Sequence, residues 1–213
     1  MKRTDYKPQY RRNLPHYQPH GATLFVNIRL TDTLPLYIIE RLQSDLETRK
    51  ANIHKNSNEN DQKILLNNED KRYFAKMDRF LDKAQFGPTW LANPEAAAKV
   101  YESLCFRNGR VYELDSFTIM PNHVHIVFRP FEDQEDNPIS LASIMMSLKR
   151  YTARQCNDIL GREGQFWQHE SYDHVIRNQA EWERIIKYVL DNPVKAGLVE
   201  KWDDWPWTYL REM

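Results

Sequence analysis

The stretch that decides the fold is Ser116-Phe-Thr-Ile-Met-Pro-Asn-His-Val-His-Ile-Val-Phe-Arg-Pro130. Residues 110–120, RVYELDSFTIM, and the HVHIVFRP run that follows are both rich in β-branched and aromatic residues, and Pro121-Asn122 between them is turn chemistry, so the segment reads as a β-hairpin. Alternation puts His123 and His125 on one face and Val124, Ile126 and Phe128 on the other. Two imidazoles two residues apart on a strand have Cβ atoms roughly 6–7 Å apart, close enough to lean onto one metal ion. A working site needs at least one further ligand and a group for the metal to act on. The plain alternative is a pair of strand histidines that ligate nothing.

Working outward, Ala22–Leu30 reads as a first strand and Leu34–Lys50 as a helix. The polar tract 52–63 has the composition of a mobile loop, and Asp70–Gln85 carries apolar residues at helical spacing before Gly87-Pro88 stops it. Asn93 caps a helix over 93–106 with Pro94 at its first position. After the hairpin come a helix over 140–160, a short strand around 172–177 and a helix from about 180 to 191, stopped by Asn192-Pro193. Strand, helix, strand, strand is the opening of a ferredoxin-like α+β sandwich, here with a helical insertion at about residues 43–90 in the first connection.

The chain has 213 residues, 41% of them hydrophobic, enough to bury one sizeable core. It is read as one domain, flanked by a basic arm at 1–20 and an aromatic tail at 200–213 that packs as a lid. Thirty basic residues balance thirty acidic ones, so any nucleic acid must be met by local patches. Such patches are Arg11 and Arg12 in the arm, Lys149, Arg150 and Arg154 on the 140–160 helix, and Arg177. Cys105 and Cys156 fit no disulfide framework or zinc spacing, which suits a reducing compartment. No apolar stretch approaches the roughly 18 residues of a membrane span, so the expectation is a cytoplasmic, nucleoid-associated protein without membrane contact.

Glycine-rich phosphate loops, a GxSxG elbow and DxD carboxylate pairs are all missing from the sequence, which weakens several hydrolase and transferase readings. Two helices instead offer a tyrosine with an amide four residues on: Tyr151 with Gln155, and Tyr188 with Asn192. Positions i and i+4 share a helix face, about 6 Å apart along the axis, so one helix can present a nucleophile and a metal ligand together. On a helical wheel Tyr188 and Asn192 flank the buried stripe formed by Trp182, Ile185, Ile186, Val189 and Leu190. Tyr151 and Gln155 fall on or within the stripe of the earlier helix, where tyrosine is usually a core residue. Tyr188 is therefore favoured, and Tyr151 with Gln155 stays a second choice.

PNHVHIVF, FWQHESYDHVIRN, KYVLDNPVKAGLV and DWPWTYL, in that order, resemble the REP-associated tyrosine transposases, a branch of the bacterial single-tyrosine HUH transposases of the IS200-like kind. The resemblance runs from about Ala22 to Tyr209, interrupted by the insertion. It implies a ferredoxin-like sheet, a divalent metal (Mg²⁺ or Mn²⁺) on His123, His125 and Asn192, and Tyr188 as nucleophile. The implied activity is cleavage and rejoining of single-stranded DNA beside a hairpin through a 5′-phosphotyrosine, by a protein that works as a monomer. A water-using metal nuclease, or a DNA-binding protein that has lost cleavage, are the alternatives.

Overall fold

A computed structural model describes residues 9–11, 15–134 and 136–212. The chain divides into two compact units, residues 1–31 with 89–213, and residues 32–88.

The first unit is built on β1 (Gln9–Arg11), β2 (Pro15–Tyr17) and β3 (Thr23–Arg29). Beyond the second unit follow α3 (Pro94–Arg107), β4 (Tyr112–Ile119), β5 (His123–Pro130), α4 (Leu141–Ile159), β6 (Tyr172–Ile176), α5 (Gln179–Lys195) and β7 (Thr208–Leu210). β1 and β2 pair as a small antiparallel ribbon. The other strands form one antiparallel sheet in the order β6-β3-β5-β4-β7. Without β7 this is the ferredoxin-like arrangement expected from the sequence.

The two faces of the sheet differ because each strand alternates. Leu24, Val26 and Ile28, with Leu114, Phe117, Ile119, Val124, Ile126 and Phe128, point to one side. There they join Val100 and Leu104 of α3 and Leu141 and Leu148 of α4 in the core. The opposite face carries Phe25, Asn27, His123, His125 and Thr118, paired strand to strand as Asn27 with His125 and His125 with Thr118. A polar sheet face is costly to bury against an apolar helix, and α5 is the element that packs there. A bulge at Asp115, between the paired Leu114 and Ser116, re-aims one carboxylate on that side.

Pro121-Asn122 makes a two-residue hairpin loop, closed by Met120 N–H donating to His123 O at 2.8 Å. The tail is more than a lid. Its β7 adds a strand to the β4 edge, with Tyr209 stacked on Phe117 at 5.5 Å and Trp205 Nε1 donating to Ile119 O at 2.9 Å.

The second unit is a helical hairpin of α1 (Leu36–Asn56) and α2 (Glu59–Asp82). The loop expected over 52–63 is therefore mostly helix. That tract has no glycine or proline, and the break is confined to Ser57-Asn58, where the Asn58 side chain accepts from Asp61 N–H at 3.0 Å to cap α2. Its polar composition reflects solvated helix faces, and elsewhere the two helices are joined by ion pairs such as Lys50 with Asp70 at 2.5 Å and Lys76 with Asp45 at 3.5 Å. Gly87, at φ 68°, passes so close to the Asp32 carbonyl that an added Cβ would lie 2.2 Å from its oxygen, so only glycine fits.

α5 also departs from expectation, running through Pro193 to Lys195. Proline there costs the helix one backbone donor, and α5 carries it in its last turn. The stop comes later, at Gly197 with φ 71°. Leu198 N–H donates to Pro193 O and Gly197 N–H to Val194 O, each at 3.0 Å, which together make a Schellman ending.

Candidate active site

His123 and His125 are carried by the first three residues of β5, straight after the tight turn, and both are fully buried. Their Nε2 atoms converge to 3.0 Å, the spacing of neighbouring ligands around one ion. The far nitrogens are held from behind: His123 Nδ1 lies 2.7 Å from Asn122 Oδ1, and His125 Nδ1 lies 3.2 Å from Asn27 Nδ2. An amide oxygen can only accept, so Asn122 keeps the His123 proton on Nδ1 and leaves Nε2 its lone pair. The Asn27 amide NH2 donates to His125 Nδ1, so without a metal the neutral His125 carries its proton on Nε2, aimed at the His123 lone pair. A turn of the Asn27 amide that presents its oxygen would free both Nε2 atoms for an ion. Phe25 stacks on the His125 ring at 5.4 Å, which fixes its plane. Burial pushes His123 down to about 3, and burial with the charges of His123 and Lys195 holds His125 well below the ordinary range. Both rings are thus neutral at physiological pH, the form that binds metals.

Tyr188 arrives from α5. Two contacts fix the start of that helix over one row of the sheet. Asn178 caps it by accepting from Glu181 N–H at 2.9 Å, and Glu181 in turn takes His174 of β6 at 3.0 Å and the Arg177 N–H at 3.0 Å. On the other flank Trp182 Nε1 donates to the bulged Asp115 at 2.8 Å, and Arg211 pairs with the same carboxylate at 3.0 Å. From there α5 carries Tyr188, half-buried, to within 5.4 Å of the His125 ring, edge to face, and 6.2 Å of Phe25.

One turn further on the same helix face is Asn192, fully buried, with neither Oδ1 nor Nδ2 meeting a hydrogen-bond partner. An unpaired buried amide costs about 1–3 kcal/mol, so its retention calls for a ligand. A carboxamide oxygen beside two neutral imidazole nitrogens is a donor set suited to a divalent ion.

The second candidate pair lies elsewhere. Tyr151 and Gln155 are on α4, packed against the opposite face of the sheet from the histidines. Tyr151 is 49% exposed rather than in the core, with the Arg107 guanidinium 5.9 Å from its ring centroid. The buried line of α4 runs through Leu148, Thr152 and Cys156, which leaves Tyr151 on the shoulder. Lys149, Arg150 and Arg154 share that helix and do not converge on Tyr188. Lys149 turns its ammonium to the Gln168 and His169 carbonyls at 2.9 and 3.2 Å, while Arg150 and Arg154 are exposed one turn apart. Arg177 is exposed at the end of β6. Arg11 sits in β1 and its side chain is outside the described residues, as is Arg12 altogether.

Sequence reasoning passed over Asn27, Phe25, Glu181 and Lys195. Asn27 had a visible signal, a lone amide inside the apolar run LFVNI. Lys195 had none, since the helix was expected to end before it.

Residues 95–192 match the family described as Transposase IS200 like, a span that takes in both histidines, Tyr188 and Asn192. Over those residues the chain is similar to an IS200-like transposase domain. Among curated proteins the chain is similar to a "Putative REP-associated tyrosine transposase" of Haemophilus influenzae, 28% identical over 102 residues, covering 46% of this chain and 58% of the relative. It is also similar to a REP-associated tyrosine transposase of Escherichia coli K12, 27% identical over 108 residues, covering 50% of this chain and 60% of the relative. The chain thus spans somewhat under two thirds of the length of these relatives. A solved structure of a REP-associated tyrosine transposase bound to a REP hairpin aligns over 93% of this chain and 80% of its own, with 20% identity and a TM-score of 0.45. Among the described residues of this transposase-like chain, no helix is long and apolar enough to cross a membrane.

Proposed function

We propose that this protein is a single-stranded DNA transposase that cleaves and rejoins strands through Tyr188, acting at hairpin-forming elements like those after which its relatives are named. The observation that carries the reading is the approach of Tyr188 to His125, 5.4 Å between ring centroids, made by two elements remote in sequence. In this reading His123, His125 and Asn192 hold a divalent ion, Mg²⁺ or Mn²⁺. Such an ion polarises a phosphodiester and offsets its charge.

The rest belongs to the chain. Asn27, Asn122 and Phe25 keep the imidazoles aimed, and α5, clamped at Glu181 and Trp182, presents the phenol at the scissile phosphorus. The Tyr188 Oη–P bond forms as the P–O3′ bond breaks. The phenol proton passes to solvent and the departing 3′ oxygen takes one up, so the products are a 5′-phosphotyrosine and a free 3′-hydroxyl. No net bond energy is lost, and attack by another 3′-hydroxyl reverses the step. Arg150 and Arg154 serve the DNA backbone away from the chemistry, because the fold separates them from Tyr188 by the sheet.

Incubation with a suicide oligonucleotide whose short upstream fragment, the one left with the free 3′-hydroxyl, diffuses away tests this. A covalent adduct that survives denaturation and vanishes in Tyr188→Phe is expected. Free 5′-phosphate without an adduct would replace the reading with a water-using nuclease, and binding without cleavage in both Mg²⁺ and Mn²⁺ would leave a DNA-binding protein.

A further inference from the structure

Lys195 closes α5, seven residues after Tyr188. Seven residues are two turns less about 20°, so Lys195 stands almost directly above Tyr188 on the face that also holds Asn192. Helical side chains lean toward the N-terminus, which points the lysine back along that face. The structure agrees: Lys195 Nζ lies 5.0 Å from the centroid of the Tyr188 ring. Its place there depends on the helix continuing past Pro193 into the Schellman ending at Gly197. Had α5 stopped at Asn192, the lysine would have left the face.

The residue is exposed, and none of the ion pairs among the described residues engages it. The neighbouring Lys187 is spent on Asp191 at 3.2 Å. The charge of Lys195 also reaches inward, since it helps to hold His125 low. A solvent-facing cation over the ring of a nucleophile, beside a donor set for a divalent ion, stands where an anionic substrate must pass.

We propose that Lys195 is a catalytic residue that contacts a non-bridging oxygen of the phosphate attacked by Tyr188. The inference rests on the transesterification proposed above. The ammonium neutralises the extra negative charge on the equatorial oxygens as phosphorus becomes five-coordinate, and it takes no part in the proton balance. Its contact is a single point charge, so it contributes more to the barrier than to overall DNA affinity, which is spread over many phosphates.

The test uses the full chain with a Mn²⁺-supplemented suicide oligonucleotide under single-turnover, saturating conditions. Lys195→Met should slow adduct formation by about 100-fold, while Lys195→Arg recovers to within about tenfold of wild type. Oligonucleotide affinity, measured by anisotropy in a Tyr188→Phe background, should change by less than about threefold on adding Lys195→Met. A methylphosphonate at the scissile position, which removes one anionic oxygen, should slow wild type strongly and Lys195→Met much less. An unchanged rate in Lys195→Met, or losses from the variant and the methylphosphonate that simply multiply, would overturn the contact. Absence of any wild-type adduct would instead sink the transposase reading, and this inference with it.

Discussion

Asn192 shows how one side chain can be worth keeping at a cost. Its amide is buried with both polar atoms unpartnered, so the metal-free protein should gain from an apolar replacement of similar shape. Asn192→Leu is expected to raise metal-free thermal stability by the equivalent of about 1–2 kcal/mol and to abolish most of the further rise that Mn²⁺ gives the wild type. Thermal melts with EDTA and with Mn²⁺ check both halves, and an unaltered Mn²⁺ shift would remove Asn192 from the ligand set. The histidines give a pH prediction. Burial lowers His123 from 6.5 to about 3, so between those values the unfolded chain binds protons that the folded chain refuses. Stability in EDTA should therefore be full above pH 6.5 and fall as pH drops toward 3, by about 1.4 kcal/mol per pH unit for each histidine so held. Denaturant midpoints across that range should fall less steeply in His123→Leu, where only His125 remains.

At the level of the element, α5 is a lever whose useful end is set by its fixed end. Trp182 and Glu181 do no chemistry, yet they decide where Tyr188 stands two turns later. Asp115→Asn keeps an acceptor for the Trp182 indole but gives up the ion pair with Arg211 at 3.0 Å; Asp115→Ala gives up both. The expected losses are about 1 kcal/mol and about 2–3 kcal/mol of stability, with adduct formation by the alanine variant falling at least tenfold and His125-side metal affinity holding. Urea unfolding beside single-turnover rates would show it, and an unimpaired rate in Asp115→Ala would mean α5 is positioned by its apolar stripe alone. The sequence made α5 recognisable through its stripe, but not its length or its Asn178 cap. The dipeptide Asn-Pro reads as a stop, and only the hydrogen bonds of the final turn show that a proline at that depth can be carried.

Over the whole molecule, the first unit adds to the ferredoxin-like order a fifth strand that no local pattern announced. β7 covers the β4 edge, brings Tyr209 onto Phe117 and supplies Arg211 to Asp115. Truncation after Trp207 should cost about 3–5 kcal/mol, from one lost aromatic contact and the charged hydrogen bonds, and should expose an edge prone to self-association. A lowered melting temperature with a larger apparent mass in light scattering is the expected result. Composition misled in the second unit, where a polar tract without glycine or proline became helix because solvated faces need no apolar residues.

Alternation along a strand and a four-residue spacing along a helix are local facts, so the sequence by itself was enough to name four strands of the sheet, the Asn93 cap, the two histidines and the tyrosine-amide pairs. Between Tyr151 and Tyr188 it offered a wheel and a family resemblance, and the wheel misplaced Tyr151. The tertiary structure adds the placement that supports Tyr188: the sheet separates α4 from the histidines and α5 lies against them. Proximity between residues remote in the chain is set by which face of the sheet each helix covers, and that depends on the packing of every strand at once.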